Sequence, residues 1–144
     1  MTHIGTIEGE TVRPDAAALQ FARALLDAGL LDRTWRVRCE LAGASGEAAR
    51  RRAVGTAILL GLEGEASDGI DPPTVARRLR RIHDRSELRL LGTRRIAFDR
   101  RHHLVSRAAG GPAAGASAVL LSAFDPGGSL LLEQAYEVTH PADL

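Results

Sequence analysis

The stretch from Thr34 to Gly64, TWRVRCELAGASGEAARRRAVGTAILLGLEG, constrains the fold more than any other part of the chain. Trp35, Val37, Cys39 and Leu41 alternate with Arg36, Arg38 and Glu40. A period of two fits a strand with one buried and one wet face, Trp35 belonging to the inward set. Gly43 to Gly46 supply a flexible link, and from Glu47 onward Ala, Arg and Leu favour a helix. A strand therefore hands over to a helix through a loop of small residues, a setting in which rigid elements commonly hold a ligand site.

Around this unit the pattern predicts helices first and sheet later. Met1 to Arg13 show little periodicity and read as a loop or a short strand. Pro14 suits a first helical turn, Ala18, Phe21, Ala22 and Leu25 follow helical spacing, and Gly29 lies just beyond the helix end. In the second helix Ala53, Ala57, Ile58 and Leu60 make the expected buried face, while Gly55 and Gly61 weaken it by about 1 kcal/mol each relative to Ala. Asp71-Pro72 starts a third helix with Val75, Leu79 and Ile82 on one face and Arg77, Arg78, Arg80, Arg81 and Arg85 on a basic, solvated one. Short apolar runs follow at Leu88 to Leu91, Arg95 to Phe98, His103 to Ser106 and Ser117 to Phe124. Asp125-Pro126-Gly127-Gly128 turns the last of these into a hairpin with Leu130 to Val138. The expected architecture is α+β, with about three helices on a mixed or mainly antiparallel sheet. At 144 residues one domain spanning 1–144 is the default.

Composition removes whole classes of function. All 19 basic residues are Arg, so chemistry that needs a lysine amine is excluded. The net charge of +1 and an aromatic content of 3% argue against nucleic acid as a partner, since neither a basic excess nor stacking platforms are present. Cys39, the sole cysteine, cannot complete a disulfide, a zinc site or an iron–sulfur cluster by itself, and on an inward strand face it reads as a buried, inert thiol. His102 and His103 are neighbours that point to opposite faces of a strand, and His3, His83 and His140 are scattered, so no metal site is expected. No nucleophile stands beside a base, and no catalytic residue is assigned. The opening MTHIGTIEGE has neither a basic start nor an apolar run, and no stretch reaches membrane-spanning length, which leads to the expectation of a cytoplasmic protein.

Several segments, in order along nearly the full length, carry a resemblance. They are Ala28 to Leu31 (AGLL), Val37 to Ala44 (VRCELAGA), Ala57 to Glu65 (AILLGLEGE), Ile96 to Asp99 (IAFD), Leu104-Val105, Ser122 to Asp125 (SAFD) with Gly128, and Leu130 to Tyr136 (LLLEQAY). Taken together, the chain resembles the β domain of the bacterial iron–sulfur L-serine dehydratases. A related domain in some phosphoglycerate dehydrogenases is regarded as a regulatory, effector-binding module. The resemblance implies an accessory or regulatory β subunit of a lyase acting on L-serine or a related small hydroxy amino acid. It also implies that a [4Fe-4S] cluster and catalysis reside in a separate α chain, no cofactor being held by this one. Further candidate partners are a small amino acid or anionic effector and a second copy of the chain. The alternative is a stand-alone module that binds an amino acid or anion and has no lyase activity.

The departures fall on polar motifs. Where the family typically carries Ser-Ser-Ser-His-Thr-Val-Gly-Pro, Ile7 to Pro14 read IEGETVRP, with Glu10 in place of the histidine and Arg13 in place of the glycine. Where Thr-Gly-Lys-Gly-His-Gly-Thr-Asp is expected, Ala48 to Gly55 read AARRRAVG, with Arg52 at the histidine position. His-Pro-Asn-Gly-Met gives way to GASAV near Gly115 to Val119. Such replacements change charge, size and donor pattern together, whereas apolar positions exchange at modest cost. The resemblance places ligand-binding candidates at Glu10, Thr11, Arg13, Arg50, Arg51 and Arg52, whose guanidinium groups suit a carboxylate or phosphate. The bland alternative is a solvated charge run. A partner altered in compensation and loss of the original activity both fit the pattern.

Overall fold

In the computed structural model, residues 3–43, 48–64, 71–99, 103–107 and 117–138 are described. Among them the chain runs β1 (His3–Val12), α1 (Pro14–Asp27), a 3-10 turn (Leu31–Arg33), β2 (Arg36–Gly43), α2 (Ala48–Leu62) and α3 (Pro72–Arg85). Five strands follow: β3 (Glu87–Leu90), β4 (Arg94–Ala97), β5 (Leu104–Arg107), β6 (Ser117–Phe124) and β7 (Leu130–Val138). The arrangement is α+β, as the patterning predicts.

The sheet order is β1-β7-β6-β2-β5, with β3 and β4 forming a separate hairpin. β6 pairs antiparallel with both β7 and β2, whereas β1 joins β7 and β5 joins β2 in parallel. The turn between β6 and β7 is fixed by Asp125, whose Oδ1 accepts from the backbone N–H groups of Gly127 and Ser129 at 2.9 Å each. Gly128 has φ +87°, which costs glycine nothing. Register then aligns Val37, Ala123 and Leu132 in one row and Cys39, Leu121 and Gln134 in another. α1 lies over the side of the sheet that carries Val37, Cys39, Val119, Leu121, Ala123 and Tyr136, all buried. The Tyr136 hydroxyl donates to Gln134 Oε1, which satisfies a polar group that burial would otherwise penalise, and burial raises its pKa to about 12.

α1 buries Ala17, Ala18, Phe21, Ala22 and Leu25. It ends with a paired motif in which Gly29, at φ +72°, donates to Leu26 and Leu30 donates to Leu25. Of the two readings of the opening residues, a loop or a short strand, the strand holds, and it runs to ten residues because β7 offers a partner edge that local periodicity cannot reveal. One expectation is corrected here. Trp35 precedes β2 and is 56% exposed, so the inward alternation begins only at Val37.

α2 also departs from the expected single face. Val54, Ile58, Leu59, Leu60 and Leu62 are all buried, so its second half is enclosed on every side. The close packing against α1 depends on Gly61. A Cβ there would sit against the Asp15 carbonyl oxygen and 2.8 Å from the Ala18 Cβ. The residue that weakens the isolated helix is thus what lets two helix backbones touch. Gly61→Ala is expected to lower stability by about 2–3 kcal/mol despite its better helix propensity, measured as a fall in urea midpoint at unchanged slope. A neutral or stabilising result would contradict this packing.

Candidate functional site

One end of the sheet gathers the three segments in which the polar motifs are replaced. Val12 of β1 is level with Val138 of β7, which faces Ser117 of β6, which faces Gly43 of β2. Glu10 and Thr11 close β1, Arg13 precedes α1, Arg50 to Arg52 occupy the start of α2, and β6 begins at Ser117. Strand spacing puts the ends of β1 and β2 about 14 Å apart, three ladders across. Along α2 the ten residue steps from Arg51 to Gly61, which abuts Asp15, cover about 15 Å. The backbone therefore sets the two groups of candidates at one end of the molecule without bringing them into one cluster. The side chains of Glu10, Thr11, Arg50, Arg51 and Arg52 lie outside the described residues. Arg13 is described, and its Nη2 pairs at 2.8 Å with Asp15, which is buried in the first turn of α1. Arg13 thus anchors a buried carboxylate near a helix N-terminus, where negative charge is favoured.

A second polar cluster lies at the other end of α2, and the sequence pattern misses it. Glu63 follows the apolar run AILLGL and is only 4% exposed. Its carboxylate accepts from Arg81 Nη2, at 2.6 Å to Oε1 and 2.5 Å to Oε2, and from the backbone N–H of Arg89 at 2.9 Å. Arg78 Nη1 stands 3.7 Å from Oε1. Together with Arg23, Leu19 and the Leu91-Gly92 turn, these residues line an open cleft of about 380 Å³. The expectation of a simply solvated basic face on α3 is corrected accordingly. Arg78 and Arg81 turn inward because an unpaired buried carboxylate would be too costly. A lone Glu directly after a fully apolar helical run was the available signal.

Elsewhere, Cys39 is fully buried and its thiol pKa is pushed up to about 12 by burial, which keeps it protonated and unreactive near neutral pH. His103 precedes β5 rather than lying on a strand. Its Nδ1 accepts from the Asp99 N–H at 2.9 Å, and its ring stacks obliquely on Phe98 at 5.6 Å. Among the described residues no group of three His, Cys, Asp or Glu is placed to hold a metal ion. No helix among them is long and apolar enough to cross a membrane.

The family model of the serine dehydratase beta chain matches residues 3–138, from the first residue of β1 to the last of β7. The chain belongs to this family. It is also 33% identical over 133 residues to an L-serine dehydratase of Streptomyces coelicolor, a match covering 92% of this chain and 29% of that protein. The family's framework thus extends across the whole described fold, whereas the relative is more than three times as long as the matched region. Within the family frame Glu63 falls inside the AILLGLEGE segment that carries the resemblance, and its ion pair is a structural element of that segment. Replacing Glu63 by Gln keeps the shape and leaves Arg81 without a counter-charge. With the arginines partly solvated, a loss of about 2–3 kcal/mol is expected, read from thermal and urea unfolding. An unchanged midpoint would show that the pair contributes nothing net.

Proposed function

We propose that this chain is the accessory β part of a dehydratase-type lyase acting on L-serine or a related small hydroxy amino acid. The elimination is assigned to an α part bearing a [4Fe-4S] cluster. The single observation that carries this reading is the family match over residues 3–138, spanning every strand and helix described. The chain's own donor set does not fit such a cluster. Thiolates are the usual ligands, and the one cysteine is sealed in the sheet core as a neutral thiol. In this reading the protein is cytoplasmic and inactive by itself. The segments carrying Glu10, Thr11, Arg13 and Arg50 to Arg52 are assigned to contact with the α part, or with a small amino acid or anionic effector.

Support for a docked partner also comes from the surface beside β4. The half-exposed indole of Trp35 borders a groove of about 420 Å³ with Arg85, Arg94, Arg95 and Ile96. Trp and Arg dominate the binding energy of protein interfaces, and exposing the chain's only Trp to water otherwise gains nothing.

Co-purification of the chain with an α part encoded beside it, assayed anaerobically for pyruvate release from L-serine, tests the reading. A brown, oxygen-sensitive complex with activity absent from either part alone is expected. Trp35→Ala is expected to weaken assembly by at least about tenfold while leaving the isolated chain folded. Failure of the two parts to associate would refute the accessory role.

A further inference from the structure

One edge of the β3–β4 hairpin is open, and the register shows which one. Antiparallel ladders alternate between pairs that exchange both backbone bonds and pairs whose N–H and C=O groups point away from each other. Leu88 faces Ile96 and Arg89 faces Arg95, and the Phe98 N–H donates to the Ser86 carbonyl at 2.9 Å. The bonded pairs are therefore Leu88 with Ile96 and Leu90 with Arg94, while the groups of Arg89, Arg95, Glu87 and Ala97 point outward. On the β3 side outward donors are taken: the Arg89 N–H goes to Glu63, and that of Leu91, just beyond the strand, to the Leu62 carbonyl. On the β4 side the outward groups of Arg95 and Ala97 have no partner among the described residues.

Arg94, Arg95, Ile96 and Ala97 all line the groove beside Trp35, although successive strand residues point to opposite faces. The groove therefore follows the open edge rather than one face. Trp35 gives it an exposed apolar wall, and Arg85 joins it from the end of α3. Glu87 lies 3.7 Å from Arg89 and 3.9 Å from Arg95 and offsets charge on both. Arg94 Nε donates only to the neutral Thr34 carbonyl, at 3.1 Å, and neither Arg94 nor Arg85 has a carboxylate within ion-pair distance among the described residues. A short edge of this kind repels a basic strand and admits an acidic one. A second copy is a poor occupant. Joining the outward groups of Arg95 to those of Ala97 in that copy would set the two Arg95 side chains on one face, as diagonal neighbours at roughly 7–8 Å.

We propose that the open edge of β4 takes up an extended, acidic segment of a protein partner as an added strand. The Arg95 and Ala97 backbone supplies the hydrogen bonds, Trp35 covers an apolar side chain of the segment, and Arg85 and Arg94 pair with its carboxylates. The proposal rests on the docking groove used in the accessory-subunit reading; it commits to how the partner is held and not to the reaction that partner carries out.

Hydrogen exchange of the purified full chain tests the edge itself. Fast exchange at the Arg95 and Ala97 amides beside protected Leu88 and Ile96 is expected, and protection of all four would overturn the assignment. Titration with a short capped peptide alternating Glu and Val tests the occupant, with the fluorescence of Trp35, the chain's only Trp, as a local signal. Saturable binding that protects the Arg95 and Ala97 amides is expected, and none by the matching Lys-Val peptide. Ala97→Pro removes an outward donor and leaves the ladder intact, at an edge position where proline is tolerated. It is expected to weaken binding by at least about tenfold, and Arg85→Gln, at an exposed helix end, by at least about threefold. Far-UV circular dichroism and the protected Leu88 and Ile96 amides verify folding of both variants. No saturable binding up to roughly one millimolar peptide, equal binding of the two peptides, or indifference to both variants would overturn the proposal. So would a concentration-dependent dimer that protects Arg95 and Ala97. None of these arms uses the α part, so its failure to associate bears on the accessory reading alone.

Discussion

A carboxylate buried at the end of an apolar helix organises one half of this molecule. Glu63 terminates α2 and accepts hydrogen bonds from α3 through Arg81 and from the backbone of β3 through Arg89. Three elements that also meet in the apolar core are thereby held in register around a single acid. The arrangement is costly to assemble, because a carboxylate loses its water. It is also specific, because only one placement of α3 and β3 satisfies that acid. Leu88, Leu90, Ile96 and Phe98 fill the space behind it, and Ile82 joins them from α3. The opposite half depends on close approach instead, with Gly61 admitting the backbone of α1 and so setting how α1 rests on β6 and β7.

What the sequence made legible was whatever is local. The β6–β7 hairpin was readable with both its boundaries because Asp125 to Gly128 encode the turn in their own side chains and dihedral freedom. The ends of α1 were readable from Pro14 and Gly29, and Cys39 from its place in an alternating run. What escaped was non-local. β1 has no strong alternation, since it is ordered by parallel pairing with a strand more than a hundred positions later. Trp35 continues the β2 alternation on paper but precedes the strand, whose ladder starts at Arg36. The basic face of α3 looked solvated because its counter-charge lies eighteen positions earlier, beyond any helical spacing.

The candidate site divides along the same line. Glu10, Thr11, Arg13 and Arg50 to Arg52 were singled out through family resemblance, and strand register does carry their segments to one end of the sheet. Charge alone did not separate those arginines from the ones on α3. All carry the same group, and only three-dimensional placement distinguishes Arg81, which neutralises a buried acid, from Arg95, which is exposed on β4. A chain with arginine as its sole strong cation hides its functional charges among its solubilising ones.

The persistence of the framework under replaced motifs has a mechanical basis. The row from Val12 through Val138 and Ser117 to Gly43 is joined by backbone hydrogen bonds, which are indifferent to the side chains they carry. The motif segments lie at the ends of these strands and reach the core only through apolar residues such as Val54 and Val119. Glu63 is different in kind. Its partners come from two other elements, so replacing it removes the counter-charge of Arg81, and replacing Arg81 removes the closest charged partner of the acid. The cluster at Glu63 is therefore tied to stability, because its members satisfy one another across three elements.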